Sequence, residues 1–110
     1  MLGSDTLPAH NRPHPRTFDS FPKMLRIAAK CGVPTEILAN RMAAKPAEVF
    51  GLKDRGMVKS GYYADVLLYR KTQGRMEDRP RTVFVNGVCK LDGGVLSPVM
   101  SGMGIRRGGR

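Results

Sequence analysis

Thr82-Val83-Phe84-Val85-Asn86-Gly87-Val88-Cys89-Lys90-Leu91 decides the fold of the chain's second half. Two runs of β-branched and aromatic residues flank Asn86-Gly87, the dipeptide best suited to positive φ at both central positions of a two-residue turn. The stretch therefore predicts an antiparallel β-hairpin. Working back, Asp65-Val66-Leu67-Leu68-Tyr69 is a short apolar run expected to form a well-buried strand, with Gly56 and Gly61 as breakers before it. Residues 70–80, RKTQGRMEDRP, read as a charged loop. Beyond Asp92-Gly93-Gly94 the chain is rich in Gly and Met and ends in Arg106, Arg107 and Arg110, so poor order is expected there.

The first half has a helical period. Phe21, Met24, Leu25, Ala28 and Ala29 recur at three- and four-residue spacing, which predicts a helix over 21–31 with Asp19 or Ser20 as its cap and Gly32 as its end. A second helix is expected from Thr35, as a hydroxyl cap, through Ile37, Leu38 and Met42 to about Ala44. Pro46 then stops it and starts a short turn of helix to Phe50. Residues 1–16 carry Pro8, Pro13 and Pro15, with Pro22 nearby, and read as ordered loop. Two short helices joined by Gly32-Val33-Pro34 cannot bury both apolar faces against each other, so they want a third surface.

With 110 residues, the chain has room for one modest core at most. The 13 Gly and 8 Pro demand a large share of turn. A formal charge of +10 would suit an acidic partner, but the basic residues are spread from Arg12 to Arg110 with no dense run interleaved with aromatics. A solvated surface is the better reading than a specific nucleic-acid site. Cys31 and Cys89 are too few and too distant for a disulfide framework or a zinc knuckle, which fits reduced thiols in a cytoplasmic protein. No segment approaches the roughly 18–20 apolar residues of a membrane-spanning helix, and Met1 to Pro8 lacks the pattern of an export signal.

Chemistry concentrates near the start. Gly3-Ser4-Asp5 follows an apolar opening and precedes a loop, the placement of a carboxylate at a strand end facing a cleft; taken alone, a turn or cap residue is the commoner reading. In Pro13-His14-Pro15-Arg16 the flanking prolines hold His14 extended and restrict Arg16, which suits a guanidinium meeting a carboxylate by two prongs; taken alone, a rigid surface loop with a solvated Arg is the better reading. The spacing of His10 and His14 matches no metal-ligand pattern. No Ser/His/Asp or Cys/His nucleophile can be assembled.

Three blocks in one order alter that balance: GSDTLP and RPHPR within 3–16, AAKPAEVFGLKDRGMVKSGYYADVLLY at 43–69, and VFVNGVCKLDGG at 83–94. Together they resemble the carboxy-terminal part of D-aminoacylases and related N-acyl-D-amino-acid deacylases of the amidohydrolase superfamily. The second and third blocks are of superfamily type, and the His-Pro-Arg element of the first is of deacylase type. The resemblance implies an α+β piece of a metal-dependent hydrolase. Residues 1–5 would be the last strand of a β/α barrel, and two to three helices would pack outside it. Antiparallel hairpin strands would then belong to a small composite β-sandwich. The implied divisions are 1–52 for the end of the barrel domain, 53–96 for the sandwich strands and 97–110 for a flexible basic tail.

The resemblance further implies hydrolysis of a linear amide C–N bond, releasing a D-amino acid and a carboxylate, with zinc as cofactor of the whole enzyme. Asp5 would be the catalytic carboxylate beside the metal, moving a proton from the attacking water to the departing amine. Arg16 would bind the substrate's α-carboxylate. Thr6 stands where such deacylases commonly have Gly, which puts acyl preference in doubt, and the stretch between Tyr69 and Arg81 is shorter than in typical members. The histidine pair and other metal ligands of the family lie upstream of anything in this chain. The 110 residues alone are thus expected to be inactive, to bind no zinc tightly, and to associate or remain partly disordered through uncovered apolar faces. The other reading is a truncated basic interaction module that self-associates or binds an acidic partner.

Overall fold

A computed structural model describes residues 1–6 and 13–106. His10, Arg12, Arg107 and Arg110 therefore lie outside the described residues. Helices fill the first half, α1 (Arg16–Lys30), α2 (Thr35–Ala39) and α3 (Lys45–Phe50). Short strands fill the second: β1 (Val66–Leu68), β2 (Lys71–Thr72), β3 (Arg75–Met76), β4 (Thr82–Val85), β5 (Val88–Asp92) and β6 (Val95–Leu96). The chain is an α+β unit, as expected. Residues 1–6 pair with no strand among the described residues, so the expected last barrel strand is not formed there.

Helix α1 starts five residues before the expected Phe21. Pro15, at φ −50° and ψ −30°, already has helical angles, and the start has no side-chain cap from Asp19 or Ser20. Asp19 sits instead in the first turn, where a carboxylate complements the positive end of the helix dipole. Pro22 lies inside α1 and has no N–H for the Phe18 carbonyl one turn earlier. Arg79 fills that vacancy, its Nη2 donating to Phe18 O at 3.1 Å. The other end follows expectation: Gly32, at φ 69°, allows Gly32 N–H to reach Ala29 O at 3.2 Å and Val33 N–H to reach Ala28 O at 2.9 Å.

The second helical stretch also departs from expectation. Pro34, not Thr35, precedes the first helical residue, and Pro46 does not stop the helix. Residues Asn40–Ala44 widen into a π turn that joins α2 to α3, with Lys45 N–H bonding to Asn40 O five residues back. Pro46 has no N–H for an ordinary four-residue bond, and the slipped register brings the chain past it without a break. Gly56 packs directly on this turn. At its φ of +84° a Cβ would lie 2.6 Å from Ala47 Cβ and 2.9 Å from Ala43 O.

The main sheet has the order β1-β4-β5-β6, all antiparallel. Val85 pairs with Val88 across Asn86 and Gly87, whose φ values of 50° and 80° give the tight turn read from the sequence. Two features went unforeseen. Gly93 and Gly94, at φ 55° and 91°, make a second tight turn and add β6, where loss of order was expected. Gln73 and Gly74 close β2 onto β3 as a small ribbon within the stretch read as a charged loop.

A polar clasp ties the hairpin turn to the loop that follows α3. Arg55, only 9% exposed in its side chain, donates to Asp65 and to Asn86 Oδ1 at 2.7 Å, and lies 4.1 Å over the Tyr63 ring. Asp65 Oδ1 accepts the Asn86 N–H at 2.8 Å, and Asn86 Nδ2 donates to Ser101 O at 2.5 Å.

Apolar packing is thin. Among the described residues only Leu25, Ala28 and Ala47 are buried, while Phe18, Phe21, Met24 and Ile27 of α1 are exposed. Asp65–Tyr69 was expected to be well buried, yet Leu67 and Leu68 are 53% and 48% exposed. Their run was correctly read as a strand, but no second layer among the described residues covers it.

Candidate functional site

Asp5 adopts φ 50°, a left-handed conformation that Asp tolerates better than most side chains. Its neighbours Ser4 and Thr6 hydrogen-bond to each other through their hydroxyls at 3.1 Å, closing the bend beneath it. The carboxylate thus projects outward and is 87% exposed. Arg16, the first residue of α1, reaches it with Nη1 at 3.3 Å from Asp5 Oδ2. The two residues singled out from sequence, eleven positions apart, are therefore brought together.

Arg16 is held by its backbone as well. Its N–H donates to His14 Nδ1 at 3.2 Å, and its carbonyl accepts from Ser20 Oγ at 2.7 Å. Among the described residues only one donor of the guanidinium is engaged, by Asp5. A guanidinium carries five donors in a planar fork, so as far as the described residues go an edge remains for a two-pronged contact with a carboxylate.

A second charged group, not foreseen, fixes the direction of α1. Arg26 donates to Asp19 on its own helix and to Asp78 beyond the ribbon, while Arg79 Nη2 stands 3.9 Å from Asp19 Oδ1. The hydrogen bond from Arg26 holds the Asp19 carboxyl below its ordinary value, and the same contacts raise Arg26. The seven-residue spacing of Asp19 and Arg26 places them on one helix face, a signal available in sequence. Asp78 lies 52 residues from Arg26, and no local pattern announces that contact.

The site is not a pocket. A cleft of about 570 Å³ runs between α1, the start of α2 and the β2–β3 ribbon, lined by Leu25, Ala29, Val33, Leu38 and Met76 among others; neither Asp5 nor Arg16 lines it. Among the described residues no group of three or more His, Cys, Asp or Glu side chains could hold a metal ion. A catalytic zinc needs about three protein ligands and an open position, so these residues do not by themselves fit one. His14 has its Nδ1 committed to Arg16, and Cys31 and Cys89 form no disulfide. No described helix is long and apolar enough to cross a membrane.

No family model matches the chain. It superposes on a crystal structure of D-aminoacylase, described as defining a novel subset of amidohydrolases, with a TM-score of 0.77 and 30% identity. That match covers 92% of this chain and 24% of the other. In sequence it is 41% identical over 71 residues to the D-aminoacylase of Alcaligenes xylosoxydans xylosoxydans, covering 63% of this chain and 15% of that one. The chain is homologous to a segment of the D-aminoacylases. The N-acyl-D-glutamate deacylase of the same organism is 44% identical over 71 residues, covering 63% of this chain and 14% of its own. The chain thus spans about a seventh of the length of these curated relatives. Against D-aminoacylase, the exposed apolar residues of α1 and β1 belong to a segment that, in the solved chain, accounts for about a quarter of the whole.

Proposed function

We propose that the chain is the carboxy-terminal segment of a zinc-dependent amidohydrolase that cleaves N-acyl-D-amino acids into a D-amino acid and a carboxylate. In this reading Asp5 is its catalytic carboxylate and Arg16 its substrate anchor. The observation that carries it is the 3.3 Å contact between the Asp5 carboxylate and the Arg16 guanidinium at the start of α1. One accepts a proton from a nucleophilic water, and the other takes a planar anion by two prongs. Set side by side, they bracket the two ends of an N-acyl amino acid: the amide to be cleaved and the free α-carboxylate.

The exposure of both groups argues that the remaining walls come from elsewhere. A carboxylate in open water is a poor general base and a solvated guanidinium a weak anchor, because each interaction gains its strength where water is excluded. The ligands of the zinc likewise belong to the rest of the enzyme. The 110 residues alone are therefore inactive, and their uncovered apolar surfaces favour association between copies.

A chimaera tests the reading. The segment of the Alcaligenes D-aminoacylase that matches in sequence is replaced by this chain, and hydrolysis of N-acyl-D-amino acids is followed by amine release. Turnover that is lost on Asp5→Asn supports the assignment; a folded, zinc-loaded chimaera whose turnover is indifferent to Asp5 contradicts it.

A further inference from the structure

We propose that His14 is a positioning residue for Arg16, its ring acting as the acceptor that fixes the first turn of α1 and thereby aims the guanidinium. Helix α1 begins without a side-chain cap from its N-cap residue, Pro15. The first helical N–H would ordinarily be left to water or a capping side chain. Here it belongs to Arg16 itself, and His14 Nδ1 takes it at 3.2 Å. The His14 carbonyl also accepts the next amide, Thr17 N–H, at 2.8 Å. One residue thus ties two successive amides of the turn that carries Arg16.

The prolines make this arrangement possible. Pro15 keeps His14 out of the helical region, as a residue before proline is driven to extended angles, so the helix cannot simply grow backward through it. Pro15 has no N–H to compete for the ring, and its own angles of φ −50° and ψ −30° lead directly into the helix. The imidazole then spans two residues, in the manner in which Asn and Asp side chains cap a turn. At the other end of the same residue, Ser20 Oγ holds the Arg16 carbonyl at 2.7 Å. Both backbone groups of Arg16 are therefore fixed by side chains, and the guanidinium swings from a fixed base toward Asp5.

This inference rests on the reading of Arg16 as the carboxylate anchor, but its test separates the two. Nitrogen-15 spectra of the 110-residue chain at pH 8, where an imidazole is ordinarily neutral, should show His14 protonated at Nε2 and bare at Nδ1. His14→Ala should shift the Arg16 amide and make it exchange with solvent roughly two- to tenfold faster, the size expected for one lost hydrogen bond. The amides around Ala28 should keep their rates. His14→Asn should restore the Arg16 amide, since a carboxamide oxygen can make the same two-residue span. An Nδ1–H tautomer, or an Arg16 amide unmoved by His14→Ala, overturns the proposal. The KM for N-acetyl-D-alanine in a D-aminoacylase chimaera carrying this chain, compared with the same chimaera bearing Arg16→Ala, tests the anchor separately. If His14→Ala moves the Arg16 amide but Arg16→Ala leaves that KM unchanged, the positioning role stands and the anchor reading fails.

Discussion

Asp5 Oδ2 and Arg16 Nη1 stand 3.3 Å apart, one on a left-handed bend and the other at the first position of a helix. Their side chains are 87% and 42% exposed. An ion pair this open contributes about 0–1 kcal/mol and would not be kept for stability. In the function proposed above, the two groups would gain their strength from surfaces of the larger enzyme that desolvate them.

The isolated chain should therefore neither hydrolyse N-acyl-D-amino acids nor bind zinc stoichiometrically. Calorimetric titration with zinc should give no tight one-to-one isotherm, because no described cluster supplies three ligands. A tight stoichiometric site would show that the metal centre is built within these residues.

Gly56→Ala should be among the most damaging small substitutions. The new methyl would meet Ala47 Cβ at 2.6 Å and sit at a φ of +84°. Overpacking of this kind costs about 1–3 kcal/mol, and the left-handed backbone adds about 1–2 kcal/mol. Denaturant melts should show the loss; unchanged stability would mean that the π turn does not press on Gly56.

Asn86→Ala should destabilise the hairpin by about 1–3 kcal/mol. It removes the acceptor for Arg55 and the donor to Ser101, at a position with φ 50° that alanine adopts poorly. Asn86→Gly, which keeps the backbone but not the bonds, should lose less, and the difference between the two variants measures the backbone's share.

Stability should fall in acid partly through Asp19. Its hydrogen bond from Arg26 lowers its pKa from the ordinary 3.8, so the folded state favours the ionised form. A group depressed in this way stabilises the fold above its unfolded value, and that contribution disappears as pH drops through the folded one. Melting temperatures between pH 7 and pH 2 should decline less steeply below about pH 4 in Asp19→Asn than in the parent chain. Parallel slopes would remove Asp19 from the account.

Much of this was legible in sequence because it rests on local backbone chemistry. Asn86-Gly87 could hardly be anything but a tight turn, and Gly32 could hardly fail to end α1. The placement of Asp5 and Arg16 came from resemblance, and the fold brought them together. Other features depended on partners distant in sequence. Pro22 and Pro46 read as punctuation, yet Arg79 supplies the bond that Pro22 forgoes and a π turn accommodates Pro46. Leu67 and Leu68 read as core because sequence reports what a segment is suited to bury, not whether a covering layer is present. The stretch just beyond Gly94 read as poorly ordered because the strand that begins there is only two residues long.

The split between kcat and KM in the D-aminoacylase chimaera carrying this chain tests the roles of Asp5 and Arg16 most directly. Asp5→Asn should lower kcat by about 10²–10⁴-fold with little change in KM, as loss of a proton-transferring group does. Arg16→Lys should chiefly raise KM for N-acyl-D-amino acids, by roughly tenfold or more, because a point charge cannot replace the two-pronged grip. A chimaera that turns over normally with either substitution would contradict the claim that these two residues are the catalytic and anchoring groups of the site.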